Sequence, residues 1–96
     1  MAKYILLVNW TDQGVRAVKD SPKRLDAARK LAETAGAKMG DFYMTMGGYD
    51  MVTHLEAPDD ATVAKFVLNL ASGGNVRTHT LKAFSEDEYR KILGAL

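Results

Sequence analysis

Ninety-six residues, with 47% hydrophobic and 26% charged side chains, make one globular domain over 1–96, outside the disordered and fibrous ranges. A chain this short buries only roughly 60 to 65% of the surface its unfolded form exposes. Its 13 basic and 12 acidic residues are intermixed and leave a formal charge of +1, which argues against a nucleic-acid partner, because such partners select a basic stripe. The absence of cysteine excludes disulfides, thiolate metal ligands and a cysteine nucleophile.

Lys3–Trp10 reads as the first strand: Tyr4-Ile5-Leu6-Leu7-Val8 is a continuous apolar run with β-branched members, and it stops at polar Thr11-Asp12-Gln13-Gly14. The run is too short for a signal peptide's apolar region or a membrane span, so the expectation is a cytoplasmic protein with no membrane partner. Thr11 or Asp12 caps a short helical stretch, and Ser21-Pro22 restarts it, Ser as cap and Pro at the first helical position. Over Ser21–Ala35 the residues Leu25, Ala28, Leu31, Ala32 and Ala35 share one side, and Gly36 ends the helix. Lys38–Met46 and Tyr49–Ala57 read as two strands joined by a two-residue hairpin at Gly47-Gly48. Pro58-Asp59-Asp60 opens a second helix carrying Val63, Phe66, Val67, Leu70 and Ala71 at helical spacing, closed by Gly73-Gly74. Asn75–Phe84 is a fourth strand. Ser85 followed three residues later by Glu88 is a capping box, starting a last helix with Tyr89, Ile92, Leu93 and Leu96 on one side.

The order β-α-β-β-α-β plus a short C-terminal helix is the ferredoxin-like pattern of the α+β class. It predicts an antiparallel four-stranded sheet in the order 4-1-3-2 with both main helices on one face. Gly48-Tyr49-Asp50 resembles the signature of the GYD domain proteins. The similarity extends over Thr11, Gly14, Ser21-Pro22, Glu56-Ala57-Pro58-Asp59, Thr78, Thr80-Leu81 and Ala83-Phe84. The resemblance implies a ferredoxin-like protomer related to the dimeric α-β barrel proteins, in which two sheets pack face to face. It supplies no catalytic residues, since the family carries no established activity.

Two helices cover one face of such a sheet, yet the first strand is apolar on both, with Tyr4, Leu6 and Val8 pointing one way and Ile5 and Leu7 the other. Three of these side chains with Val52 beside them would be left bare, and each is worth roughly 1.5 to 3 kcal/mol when removed from water. The expectation is a homodimer or higher homo-oligomer joined through the bare face. The alternative is that the last helix folds back over it.

The candidate chemistry gathers on the third strand. Asp50 follows the glycine turn, whose free N–H groups would stabilise its carboxylate; its functional reading is an acid, base or ligand-orienting group. His54 shares a strand parity with Asp50, Val52 and Glu56, a setting for a general base or for an ordinary solvated histidine. His79 lies on the fourth strand, about 9 to 10 Å away with the first strand between. That is too far for a shared zinc, so no metal site is expected. Tyr49 alternates onto the face of Met51, Thr53 and Leu55 and reads as a core or rim aromatic. Trp10, with Tyr43 or Tyr49 nearby, is a candidate wall for a small-molecule pocket. Arg16, Lys19, Lys23 and Arg24 form the densest basic stretch, diluted by Asp12, Asp20 and Asp26. Gly47-Gly48 joins strands and Gly73-Gly74 follows a helix, whereas phosphate cradles precede one, so no nucleotide or other cofactor is expected.

Three functions follow. The first is a small oligomeric domain holding an organic ligand between sheet and helices. The second is a dimeric barrel enzyme using Asp50 with His54 or His79 in acid–base chemistry, which requires a closed pocket with histidine and carboxylate in contact. The third is a regulatory interaction module working through an exposed sheet edge.

Overall fold

The computed structural model describes residues 1–96. β1 (Ala2–Trp10) lies in the middle of the sheet, antiparallel to β3 (Met51–Ala57) on one side and β4 (Val76–Ala83) on the other, and β2 (Lys38–Met44) adds to the outer edge of β3. The order β2-β3-β1-β4 is the one the sequence predicts. α2 (Ser21–Ala35) and α3 (Asp60–Ser72) cover one face. α1 (Asp12–Arg16) and a single 3-10 turn, Val18–Asp20, lead into α2. α4 (Glu86–Gly94) follows β4.

The core forms where the even residues of β1 meet the helices. Tyr4, Leu6 and Val8 are buried with Met51, Leu55 and Ala57 of β3, Val63 and Phe66 of α3, and Ala32 of α2. Small side chains, Ala28 and Ala32, let α2 approach the sheet closely. This corrects the expectation about the bare face: Tyr4, Leu6 and Val8 are the covered set. Val52 stands opposite Leu7, so its neighbours on the open face are Ile5 and Leu7.

The β2–β3 connection also differs from the two-residue hairpin. The strands stop at Met44 and start again at Met51, leaving residues 45–50 as a loop. The Thr45 N–H donates to the Asp50 carbonyl at 2.8 Å and its hydroxyl to the Tyr49 carbonyl at 2.6 Å, which closes the wider loop. The Asp50 N–H turns away from β2 and donates to the Val8 carbonyl, 3.0 Å, and to Asn9 Oδ1, 3.1 Å. Of the two glycines only Gly47 takes a positive φ, 117°, so the paired positive φ values of the tighter turn are absent. Farther along β2 the register slips by one residue between Met39 and Phe42, a bulge that frees the Asp41 carbonyl to accept from the buried Thr53 hydroxyl at 2.9 Å.

Thr11 caps α1, accepting from the Gly14 N–H at 3.1 Å. Ser21 is not the cap of α2 but its first residue, with Asp20 before it and Pro22 in the first turn, and Gly36 ends the helix at φ 90°. The capping box of α4 forms as the sequence predicts, the Ser85 hydroxyl accepting from Glu88 N–H and Glu88 from Ser85 N–H. α4 does not fold back over the sheet. None of its residues is buried, and Tyr89, Ile92 and Leu93 stay 55, 48 and 46% exposed. The molecule is accordingly long and thin, 49 × 30 × 17 Å. No helix is long and apolar enough to cross a membrane.

Candidate functional site

Trp10 ends β1 where the chain must turn into α1, and its surroundings hold the first site. Its backbone N–H donates to Asp50 Oδ2 at 3.0 Å and its indole N–H to Ser21 Oγ at 3.3 Å. The first bond shows what Asp50 does: its carboxylate caps the end of β1 and ties the 45–50 loop to it, in place of the glycine-turn donors expected for it. The second stands the indole against the start of α2. Between them an apolar cleft opens in two lobes, of about 270 and about 100 Å³, sharing Ser21, Leu25, Phe42 and Met51. Trp10, Val18 and Met44 wall the outer lobe, while Arg24, Thr53 and Asn75 bring the polar atoms of the inner one.

The second site is the open face of the sheet. Register places Ile5 beside His54 and Leu81, and Leu7 beside Val52 and His79, with Tyr43 beyond Val52 at the edge. Ile5, Leu7 and Val52 are half-buried, whereas Tyr43 and Leu81 are exposed. Tyr49 lies in the loop, where strand alternation does not apply. Its ring meets His79 edge to face at 5.6 Å between centroids, which puts it on the open side rather than with Met51.

Neither histidine is bonded to a carboxylate, although His54 lines a shallow recess of about 250 Å³ with Asp41 and Glu56. His54 and His79 are both exposed, with β1 and a two-residue offset between them. Glu56 is engaged by Lys3 Nζ at 2.7 Å and Asp50 by the Trp10 backbone. No group of three or more His, Cys, Asp or Glu side chains is arranged to hold a metal. Trp10 lines the cleft, Tyr43 and Tyr49 do not, so the three aromatics proposed for one pocket divide between two faces.

A third cluster sits at the opposite end of β1. The buried Tyr4 hydroxyl donates to Asp60 at the start of α3, and Lys82 Nζ reaches the same carboxylate at 3.1 Å while lying 4.9 Å from the Tyr4 ring centroid. The Tyr4 hydrogen bond, then Lys82, hold the Asp60 carboxyl below its ordinary range. The same contact with Asp60 raises Tyr4 and Lys82. A tyrosine so held keeps its proton at neutral pH, and the cluster is a clamp joining β1, α3 and β4.

Along the chain, the GYD domain profile matches residues 4–93. The chain belongs to the GYD domain family.

This GYD domain is 38% identical over 84 residues to the glutamine synthetase and cystathionine beta-lyase binding protein of Thermus thermophilus, the match covering 86% of this chain and 88% of that one. Among solved structures it superposes on a feast or famine regulatory protein of Mycobacterium tuberculosis with a TM-score of 0.67 at 14% identity, covering 88% of this chain and 51% of that one. The leucine response regulatory protein of the same organism gives 0.65 at 15%, with 88 and 51% covered. The domain thus spans about half the length of those regulators. A further Thermus thermophilus protein matches with a TM-score of 0.57 at 22% identity, with 88 and 95% covered. At these identities the structures establish the ferredoxin-like fold.

Sequence reasoning missed the Tyr4–Asp60–Lys82 clamp, because its members are 22 to 78 positions apart and only the crossover of α3 brings them together. It also missed Arg24 and Ser21 as cleft residues. The basic stretch containing Arg24 looks like a solvated helix face, yet its guanidinium bonds the Ala17 and Gly14 carbonyls at 3.0 and 3.1 Å and so lies against the body of the molecule.

Proposed function

We propose that this GYD domain is a self-associating binding module that attaches to an enzyme rather than transforming a substrate itself. The observation that carries this reading is the one-sided sheet. Ile5, Leu7, Val52, Leu81 and Tyr43 form an apolar ribbon on the face the helices leave bare, and the apolar side of α4 stands unpartnered nearby. Bare apolar area of this kind marks an interaction surface. A second copy is the natural first occupant, since a two-fold interface lets the same patch serve both sides. The lack of a bond from either histidine to a carboxylate, with both imidazoles exposed, favours binding over acid–base catalysis. The relative named for binding glutamine synthetase and cystathionine beta-lyase supports an enzyme as the further partner.

The test has two arms. Sedimentation of the full chain at micromolar concentration should give a dimer or larger species, and Leu81→Asp should reduce it to a folded monomer. Immobilised chain should retain purified glutamine synthetase or cystathionine beta-lyase of the same source organism. A folded monomer at every concentration, together with no retention of either enzyme, would overturn the reading.

The Trp10 cleft favours a second role beside the first. A two-lobed apolar recess between sheet and helix is the setting in which small organic ligands bind. We place a small organic ligand there, with Trp10 as its wall. Titration followed by the emission of Trp10, the single tryptophan of the chain, tests it.

A further inference from the structure

The polar atoms of the cleft determine what kind of ligand it takes, and the inference rests on the cleft being a ligand site. No acidic side chain lines either lobe. Thr53 has no hydrogen to give, its hydroxyl already donating to the Asp41 carbonyl. The three polar residues left all present donors. Ser21 Oγ accepts from the Trp10 indole at 3.3 Å and keeps its own hydrogen to give. Asn75 Oδ1 is taken by Gln13 Nε2 at 3.0 Å, so the Asn75 amide has its N–H groups to offer. Arg24 uses one N–H from each terminal nitrogen on the Gly14 and Ala17 carbonyls, and a guanidinium has five. Those two carbonyls also hold it in place, so it need not be ordered when a ligand arrives. Around this edge the walls are apolar: Leu6, Val8, Leu25, Met39, Phe42 and Met51.

We propose that the cleft binds a small apolar carboxylate, its hydrocarbon or aromatic body against Trp10, Phe42 and Met51 and its carboxylate on Arg24, with Ser21 and Asn75 as supporting donors. The complementarity selects the head group. An anion meets a fixed positive charge and unspent donors, and charge-assisted hydrogen bonds are about twice as strong as neutral ones. An alcohol of the same shape keeps the apolar contacts but finds no charge to complement. An ammonium is repelled by Arg24 and meets no acidic side chain.

The experiment titrates the full chain at pH 7 with 4-phenylbutyrate, 4-phenylbutanol and 4-phenylbutylamine, three probes with one body and different head groups. Binding is read from Trp10 emission and from the methyl resonances of Met44 and Met51. The expected result is that the carboxylate binds at least tenfold tighter than the alcohol, that the amine binds more weakly than the alcohol, and that the Met51 methyl shifts with Trp10. Arg24→Gln should bring the carboxylate to the level of the alcohol, while Arg24→Lys should keep most of the preference. Because the comparison of head groups is made on the unaltered protein, it decides the matter even if Arg24→Gln unfolds.

Equal binding of all three probes, or preference for the amine, overturns the head-group assignment while leaving a ligand cleft in place. Silence of Trp10 and Met51 toward all three overturns the cleft itself. A Trp10 signal that changes on dilution without any probe, and still does so in Leu81→Asp, would show a second copy occupying the cleft, and that also overturns the proposal.

Discussion

A Cβ at Gly14 would lie 2.0 Å from the Asn75 carbonyl oxygen, a distance no side chain tolerates, and both partners are backbone with nowhere to go. Thr11 adds to the same junction, its N–H donating to that carbonyl at 3.0 Å and its hydroxyl to the Gly74 carbonyl. Gly14→Ala should therefore destabilise the domain by about 1 to 3 kcal/mol, seen as a lower urea midpoint at unchanged m. Gly48→Ala is its control: the space around Gly48 is open and its φ is ordinary, so the midpoint should move by less than about 0.5 kcal/mol. Asp50→Ala removes a charged acceptor from the Trp10 N–H and should cost about 1 to 3 kcal/mol, with faster hydrogen exchange at the Trp10 amide. An unchanged exchange rate would show that this bond does not hold the loop.

The Tyr4–Asp60–Lys82 clamp makes a prediction about pH. Asp60 is held below its ordinary 3.8 in the folded chain, first by the Tyr4 hydroxyl and then by Lys82. A carboxyl depressed on folding stabilises the native state above its unfolded value, and that contribution is lost as pH falls through the folded one. Asp59, capped onto Thr62, and Glu56, paired with Lys3, act in the same direction. Lys82 is raised above 10.5, chiefly by its bond to Asp60, so its contribution is present below that value and lost as pH rises through the folded one. Stability should thus fall below about pH 4 and again above about pH 10.5. Asp60→Asn should weaken the acid limb while lowering the midpoint at pH 7. If the acid limbs of mutant and parent superimpose, the clamp carries no linkage.

Among the elements, α4 buries no side chain against the rest of the domain. Nine residues are too few for a helix to persist in water by propensity alone. What supports it is local: the capping box and the Glu86–Arg90 pair, whose side chains are largely solvent-exposed and which is therefore worth little. Ser85→Ala should remove about 1 kcal/mol from the helix. Amide exchange across 86–94 should quicken while the urea midpoint of the sheet stays in place. Should exchange slow instead as protein concentration rises, α4 is being packed by another molecule. β1 is the opposite case. Hydrogen-bonded on both edges and covered on one face, it has only the side of Ile5 and Leu7 left to bury.

For the whole molecule, the 17 Å thickness says that the fold is two layers deep, and a two-layer α+β structure has one sheet face without a cover. The proposed association would supply one and would link stability to concentration. The melting temperature of the wild-type chain should climb with protein concentration, whereas that of Leu81→Asp should not. A flat dependence for both would place the apolar ribbon permanently in water.

Most of the fold was legible in the chain because its signals are local. Apolar runs with β-branched residues, Ser85 with Glu88, and glycine after Ala35 or Leu70-Ala71-Ser72 each act within a few residues, and the β-α-β-β-α-β order then leaves few ways to arrange a sheet. The family was legible for the same reason, since its pattern is strung along the whole chain. The loop at 45–50 was not, because its width is decided by where the Asp50 N–H and carboxylate find partners, on Val8, Asn9 and Trp10 some forty positions away. Nor was the covered face of β1: alternation divides the side chains into two sets, but only the hand of the packed helices chooses between them. The same holds for the candidate site. Sequence alone determined that Trp10 stands at a strand end and Arg24 on a helix. That both line one cleft was decided by tertiary structure, because a recess exists only where α2 is laid across the sheet.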